Sequence, residues 1–430
     1  MIRDLEKITK SLSNEESPSW FSDLRAQGFS RFNELGIPTV KDEEWKYTSL
    51  LALAKHAFDI AKAGQCAEAE ALKNYRSDKD INIVFINGLL SEEFSDFNNI
   101  PIGITVSTIR DAMISNAPQI REQLTKYAIS DDTAFIALNQ AVHDASIYVQ
   151  IDEKASCNKL IHIIHVTSPG HKNLAVMPRT LIAAGRSSET TILESHIAFS
   201  DTFTYFTNAL TDIFLSENAT LHYCKSQKES LKAFHIGHTR VWQDRDSNFD
   251  GFSFMAGSKL TRNDLDITLN GEGANTTLNA LYSVYNDQHV DNHTSVDHRV
   301  PNCTSNQLYK GILNNRARAV FNGKVFVQPV AQKTSSYQLN KNLLLGTDCR
   351  IDTKPQLEIF ADDVKCTHGA TIGQLAKDEM FYLQTRCIPK KAATRMLAHG
   401  FVNDLFSTIK NTAIREKLDR LMEPSFEALQ

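Results

Sequence analysis

Two clusters in this 430-residue chain hold side chains that could bind a metal ion. The first is Cys366-Thr367-His368, inside the run DDVKCTHGATIG. On a β-strand, residues i and i+2 face the same way, roughly 6.5–7 Å apart. A soft thiolate and an imidazole on one face can therefore converge on one iron or zinc ion. Closed structural sites ordinarily use four ligands, so Cys366 and His368 make half a site, and another segment or chain would have to supply the rest. The competing reading is a buried thiol and a hydrogen-bonded histidine at a strand end. The second cluster is His289-Val290-Asp291-Asn292-His293, followed by Asp297, His298 and Cys303. As a strand it puts His289, Asp291 and His293 on one face, where they could hold a divalent ion. The alternative is a polar ladder whose histidines and carboxylates satisfy one another. Glu194-Ser195-His196 offers no hydrolase pair, because adjacent strand residues face opposite ways and Ser195 cannot meet His196.

The signatures of nucleotide and hydrolytic chemistry fail. The nearest approach to a phosphate-cradling loop is Gly257-Ser258-Lys259, which lacks the Gly-Lys pair. Gly271-Glu272-Gly273-Ala274-Asn275-Thr276 lacks the third glycine of a dinucleotide loop and leads into the strand-like TTLNALYSVY, so no helix dipole would face a phosphate. There is no HExxH and no GxSxG. A system that consumes ATP would have to take its ATPase from another chain.

Three textures position these clusters. Residues 1–145 mix helical and short strand signals: Phe21, Leu24, Phe29, Phe32 and Leu35 have helical spacing closed by Gly36 and Pro38. INIVFING (Ile81–Gly88) reads as a strand ending in an Asn-Gly turn, and a helical run follows from Ser107. Residues 146–372 are short β-rich runs with Asn, Ser, Gly and Asp at the breaks and no helical interruption. Strands at such intervals imply a sandwich, barrel, propeller or solenoid; stacked coils fit, although no strict repeat is visible. Residues 373–430 turn helical. Pro389 stands at a helix start, Leu397, Phe401, Leu405 and Ile409 with Val402 and Phe406 form one apolar stripe, and Ile414, Leu418 and Leu421 form a second. The pair reads as an αα-hairpin appended to the β core.

Composition narrows the setting. An apolar fraction of 42% and a charged fraction of 23% are those of a globular protein, and a net charge of −5 argues against nucleic acid as the main partner. Seven cysteines at 66, 157, 224, 303, 349, 366 and 387, with no CxxC, suit a reduced compartment. The charged opening has no apolar signal region, and no run of eighteen apolar residues exists to span a membrane. These features lead to the expectation of a cytoplasmic protein with no membrane partner.

The stretch Gly323–Leu375, GKVFVQPVAQKTSSYQLNKNLLLGTDCRIDTKPQLEIFADDVKCTHGATIGQL, resembles the SufB/SufD family of iron–sulfur assembly proteins. RTLIAAGRSSETTILESHIAF (Arg179–Phe199), HVDNHTSVDH (His289–His298) and YKGIL (Tyr309–Leu313) match as well. EEWKYTSL (Glu43–Leu50), preceded by GIPT, resembles the opening of the SufD branch. The resemblance implies a right-handed parallel β-helix core flanked by helical N- and C-terminal domains. It implies a non-catalytic scaffold subunit that pairs with SufB and binds the ATPase SufC through its C-terminal helices. It further implies no tightly bound cofactor in the isolated chain, but a transient iron–sulfur cluster in the complex, with His368 and Cys366 near the SufB interface as contributors. The His289 cluster carries over without a ligand role. Two alternatives are the paralogue SufB and a β-helix enzyme acting on polysaccharide, though the latter would ordinarily carry a secretory signal. In the absence of SufB, the alternative partner is a second copy of the chain, as a homodimer.

Overall fold

The computed structural model of the chain describes residues 2–13, 18–60, 69–115, 117–126, 133–143, 146–168 and 173–427. Cys66, Asn116 and Tyr127 of the helical run, and the expected domain junction at 145, lie outside them.

The β-rich runs become strands that alternate between two sheets, and from Leu260 to Gln374 each is ten residues long. One sheet ends with Asn275–Val284, Thr304–Leu313, Ser335–Leu344 and Lys365–Gln374; the other ends with Leu260–Leu269, His289–His298, Arg318–Val327 and Arg350–Ile359. Each pairs in parallel with the strand two places on, without slippage, as in Leu278 opposite Gln307 and His289 opposite Arg318. The result is a mainly β protein, a parallel β-solenoid of about eight turns with helices at both ends of the chain. Two strands from the first third extend the same sheets: Ile81–Ile86 pairs in parallel with Ser156–Thr167, and Ile104–Thr108 pairs antiparallel with Ser146–Ile151. The Asn-Gly turn after the first of these has φ of 53° at Asn87 and 88° at Gly88, as a two-residue hairpin requires.

The corners explain why no repeat shows in the sequence. Ser187, Asn218, Asp246, Gly273, Asn302 and Lys333 all take positive φ at equivalent corners, spaced by 31, 28, 27, 29 and 31 residues. Their amides reach the next coil, as Asn218 N to the Arg245 carbonyl at 2.8 Å and Asn302 N to the Gln332 carbonyl at 3.0 Å. A left-handed backbone is required there, and Asn, Asp and Gly meet it most cheaply. Identity is therefore loose and spacing elastic while the coils still stack.

Inward positions carry a continuous apolar cluster that includes Ile161, Ile192, Leu221, Phe249 and Leu278. The outer face of one sheet is covered by helices Ser19–Leu35 and Ala134–Val142, with Phe135 and Leu138 against Phe206, Phe234 and Ile236. The other sheet is covered by helices Lys390–Ser407 and Thr412–Glu427. Their Ala398, Val402, Leu405, Phe406, Ile414 and Leu418, with Ile409 of the turn between them, are buried against Phe252, Leu281, Ile312 and Leu343. The C-terminal stripe is thus packing against the coil, and the hairpin is integral to the β core instead of a free appendage. Each of these buried side chains larger than alanine stabilises by about 1.5–3 kcal/mol. Among the described residues, no helix is long and apolar enough to cross a membrane.

Candidate functional site

Lys365–Gln374 is the last strand of its sheet and pairs on one side only, with Ser335–Leu344. Register places Cys366 opposite Ser336 and His368 opposite Gln338, so the two share the lumen side of an open coil end. Cys366 is half-buried beside Val325, Val327 and Ala361, and burial pushes its thiol pKa up. The His368 side chain is exposed, and its imidazole has no hydrogen-bond partner among the described residues, which departs from the hydrogen-bonded histidine of the competing reading. Beneath it, the fully buried Gln338 has both amide atoms unpartnered. No third His, Cys or carboxylate joins Cys366 and His368 at ligand-sharing distance among the described residues. The end of the coil is also apolar: Tyr337, Ile359, Phe360 and Ile372 are exposed there. An unpaired strand edge of this kind is a template for pairing with another chain.

The second cluster has a different task. His289–His298 is a strand, and His289, Asp291 and His293 do share its outer face. That face receives the segment Glu43–Leu50. Thr48 Oγ1 donates to Asp291 at 2.5 Å and lies 2.8 Å from His289 Nε2; His293 lies 3.0 Å from Asp291 and 3.3 Å from Glu44. Arg262 binds the network together. It donates to Asp291 at 2.8 Å, to the Glu44 carbonyl at 2.7 Å and to Asp264 at 2.8–3.0 Å, with its guanidinium 4.5 Å from the Trp45 ring centroid. The Arg262 and His293 charges outweigh burial and hold the Asp291 carboxyl well below its ordinary range. The polar-ladder reading of this cluster is the one the geometry supports, with the ladder extended to a partner segment 241 residues away. A cleft of about 530 Å³ beside it is lined by Asp264, Asp266, His238 and Lys324. These groups engage one another and the docked segment, as in His238–Asp266 at 2.5 Å and Lys324 with Glu44.

Ser195 and His196 face opposite ways, as strand geometry requires: Ser195 Oγ meets His162 Nε2 at 2.8 Å on the outside. His196 points inward, where register sets it beside His165, a neighbour the sequence reading missed. The only signal was the spacing between two histidines on successive coils.

Fold and site together define a β-solenoid flanked by helices, with an open end that presents a thiol and an imidazole. Residues 165–401 match the model described as "SUF system FeS cluster assembly, SufBD core domain", and residues 3–163 match that of the SufBD protein N-terminal region. An iron–sulfur cluster assembly SufBD family protein of Synechocystis sp. is 34% identical over 397 residues, covering 89% of this chain and 86% of that protein. The iron–sulfur cluster assembly protein SufD of Escherichia coli is 29% identical over 385 residues, covering 89% of this chain and 88% of that protein. Protein ABCI7 of the Arabidopsis thaliana chloroplast is 28% identical over 386 residues, covering 88% and 81%. The chain belongs to the SufBD family of iron–sulfur cluster assembly proteins.

Proposed function

We propose that the chain is a non-catalytic scaffold subunit of a SUF complex, in the manner of SufD, working in the cytoplasm. It pairs with SufB through the open end of the coil, and Cys366 and His368 contribute to a transient cluster whose other ligands come from SufB. The observation that carries this reading is half a metal site standing on an unpaired strand edge flanked by Ile359, Phe360 and Ile372. The ATPase SufC binds the C-terminal helical region of residues 373–430. Because the stripe Val402–Leu405–Phe406 is buried on the coil, the docking surface is the outer one, where Phe381, Tyr382 and Met396 are exposed. Within the N-terminal region 1–145, the segment Glu43–Leu50 serves to clamp the coil.

His368→Ala tests the reading. Its exposure predicts an unchanged melt of the lone subunit, while iron and sulfide in the assembled complex fall steeply because a bridging site loses a ligand. Unchanged cluster content in an intact complex sinks the assignment.

A further inference from the structure

The interior of the first coils changes from apolar to polar along the strands. On Ser156–Thr167 the inward side chains run Ile161, Ile163, His165; on Glu189–Ala198 they run Ile192, Glu194, His196. Register sets His165 against His196, and their rings stack with centroids 4.7 Å apart and planes 12° apart. Glu194 lies two residues before His196 on the same face. Its Oε1 is 3.2 Å from His165 Nε2 and 3.6 Å from His196 Nε2. One ligand atom from each residue lies within 4.8 Å of the others, and all three side chains are at most 5% exposed.

Two features set this apart from an ordinary buried polar cluster. Glu194 is held by three hydroxyl donors: Tyr223 at 2.6 Å, Thr211 at 3.0 Å and Thr180 at 3.1 Å. That is the outer layer of hydrogen bonds which orients a ligating carboxylate. His196, 1% exposed, makes no hydrogen bond of ordinary length from either ring nitrogen to the described residues; the Glu194 carboxylate, 3.6 Å from Nε2, is its ionic neighbour. A buried imidazole with two unsatisfied nitrogens is disfavoured unless something fills the gap.

We propose that His165, Glu194 and His196 form a buried site for one divalent first-row transition ion, ferrous iron or zinc. Two imidazoles and one carboxylate select such ions over magnesium or calcium, which demand oxygen ligands, and they leave coordination positions open. Ligand atoms around an ion of this size stand roughly 3.3 Å apart, so one of the two stacked imidazoles must turn as the site closes. The cation that would otherwise balance Glu194 is Lys225, buried and without a hydrogen bond. His235 stands edge-on to His196 at 4.9 Å but is engaged by Glu229 at 2.7 Å. A resident ion here departs from the expectation of a chain with no tightly bound cofactor. It is also independent of any partner.

The test uses the full, untagged chain, stripped with chelator and titrated anaerobically with Co²⁺, Zn²⁺, Fe²⁺ and Mg²⁺. The expected result is one tight equivalent of Co²⁺, Zn²⁺ or Fe²⁺ that raises the melting temperature, with no comparable effect of Mg²⁺. Pulsed electron resonance of the Co²⁺ form should show two histidine nitrogens. Tyr223→Phe, which removes only a hydrogen bond to Glu194, should weaken binding about 10–100-fold, and His196→Gln by at least as much. The double substitution Cys366→Ser, His368→Ala should leave this equivalent in place. Should His196→Gln fail to fold, the wild-type Co²⁺ spectrum decides, since absence of imidazole coordination overturns the site. So does a chain that takes up no ion even when refolded with Zn²⁺, which would mean that Lys225 is the counter-ion. Loss of the tight equivalent in the Cys366/His368 variant would place the metal at the edge and overturn the proposal equally.

Discussion

Replacing Arg262 with Met should release the N-terminal segment from the coil. The guanidinium is 3% exposed and faces Asp291, itself 1% exposed. Methionine preserves much of the stem's packing but leaves the Asp291 carboxylate with only Thr48, His289 and His293 around it. Removing one partner of a buried ion pair costs about 3–5 kcal/mol, chiefly because the other charge is left uncompensated. Lost contacts with Asp264, the Glu44 carbonyl and the Trp45 ring act in the same direction. The damage should be local, since none of these groups belongs to the apolar stack inside the coil. Amide hydrogen exchange reads it directly, because exchange rates scale with the free energy of local opening. At 1.36 kcal/mol per decade, amides of residues 43–50 should exchange about two to nearly four decades faster, while the strands Thr304–Leu313 and Arg318–Val327 stay protected. The additional change Asp291→Asn should recover part of the loss by removing the stranded charge. Exchange within fivefold of wild type over residues 43–50 would refute the argument that Arg262 holds the segment.

The same junction should depend on pH. The bond to His293 leads the causes that hold the Glu44 pKa down at about 2, so its contribution is present above about pH 4.5 and fades as pH falls towards 2; at 44% exposure, screening limits it to about 1 kcal/mol. Burial lowers the His293 pKa, but the Asp291 carboxylate outweighs it and the net shift is upward, so its contribution is full below about pH 6.5 and is lost as pH rises through the raised value. Protection of residues 43–50 should therefore peak between about pH 4.5 and 6.5, and a flat profile from pH 3 to 8 would contradict this assignment. Gly311→Ala should lower the melting temperature through about 1–3 kcal/mol of overpacking, since its Cβ would stand 2.2 Å from the Tyr282 ring and 2.5 Å from Asn342 Oδ1; an unchanged melt would mean that the ring moves freely. Deleting the chain beyond residue 389 should yield aggregates on size-exclusion chromatography, because Phe252, Leu281, Ile312 and Leu343 lose their cover; a monodisperse product would show that the helices are dispensable to the coil.

Local rules carried much of the reading. The pleat has a period of two, so Cys366 and His368 on one face, and Ser195 and His196 on opposite faces, follow from residue number alone. The same holds for His289, Asp291 and His293. Helical spacing, the stop at Gly36 and Pro389 at a helix start are equally local, and the missing phosphate loop is a fact of composition. The N-terminal segment and the His289 cluster were each legible, but their mutual docking was not, because 241 residues separate Thr48 from His289. Nor did an apolar stripe at 397–409 reveal what it covers: a stripe specifies a buried face and not the surface that buries it. Stacking between coils lay furthest out of reach. Corners need only a left-handed backbone, so their residues and spacing drift by several positions from turn to turn. The coincidence of His165 with His196, and of Glu194 with Tyr223, Thr211 and Thr180, depends on that drift, and the folded coil is what sets the register.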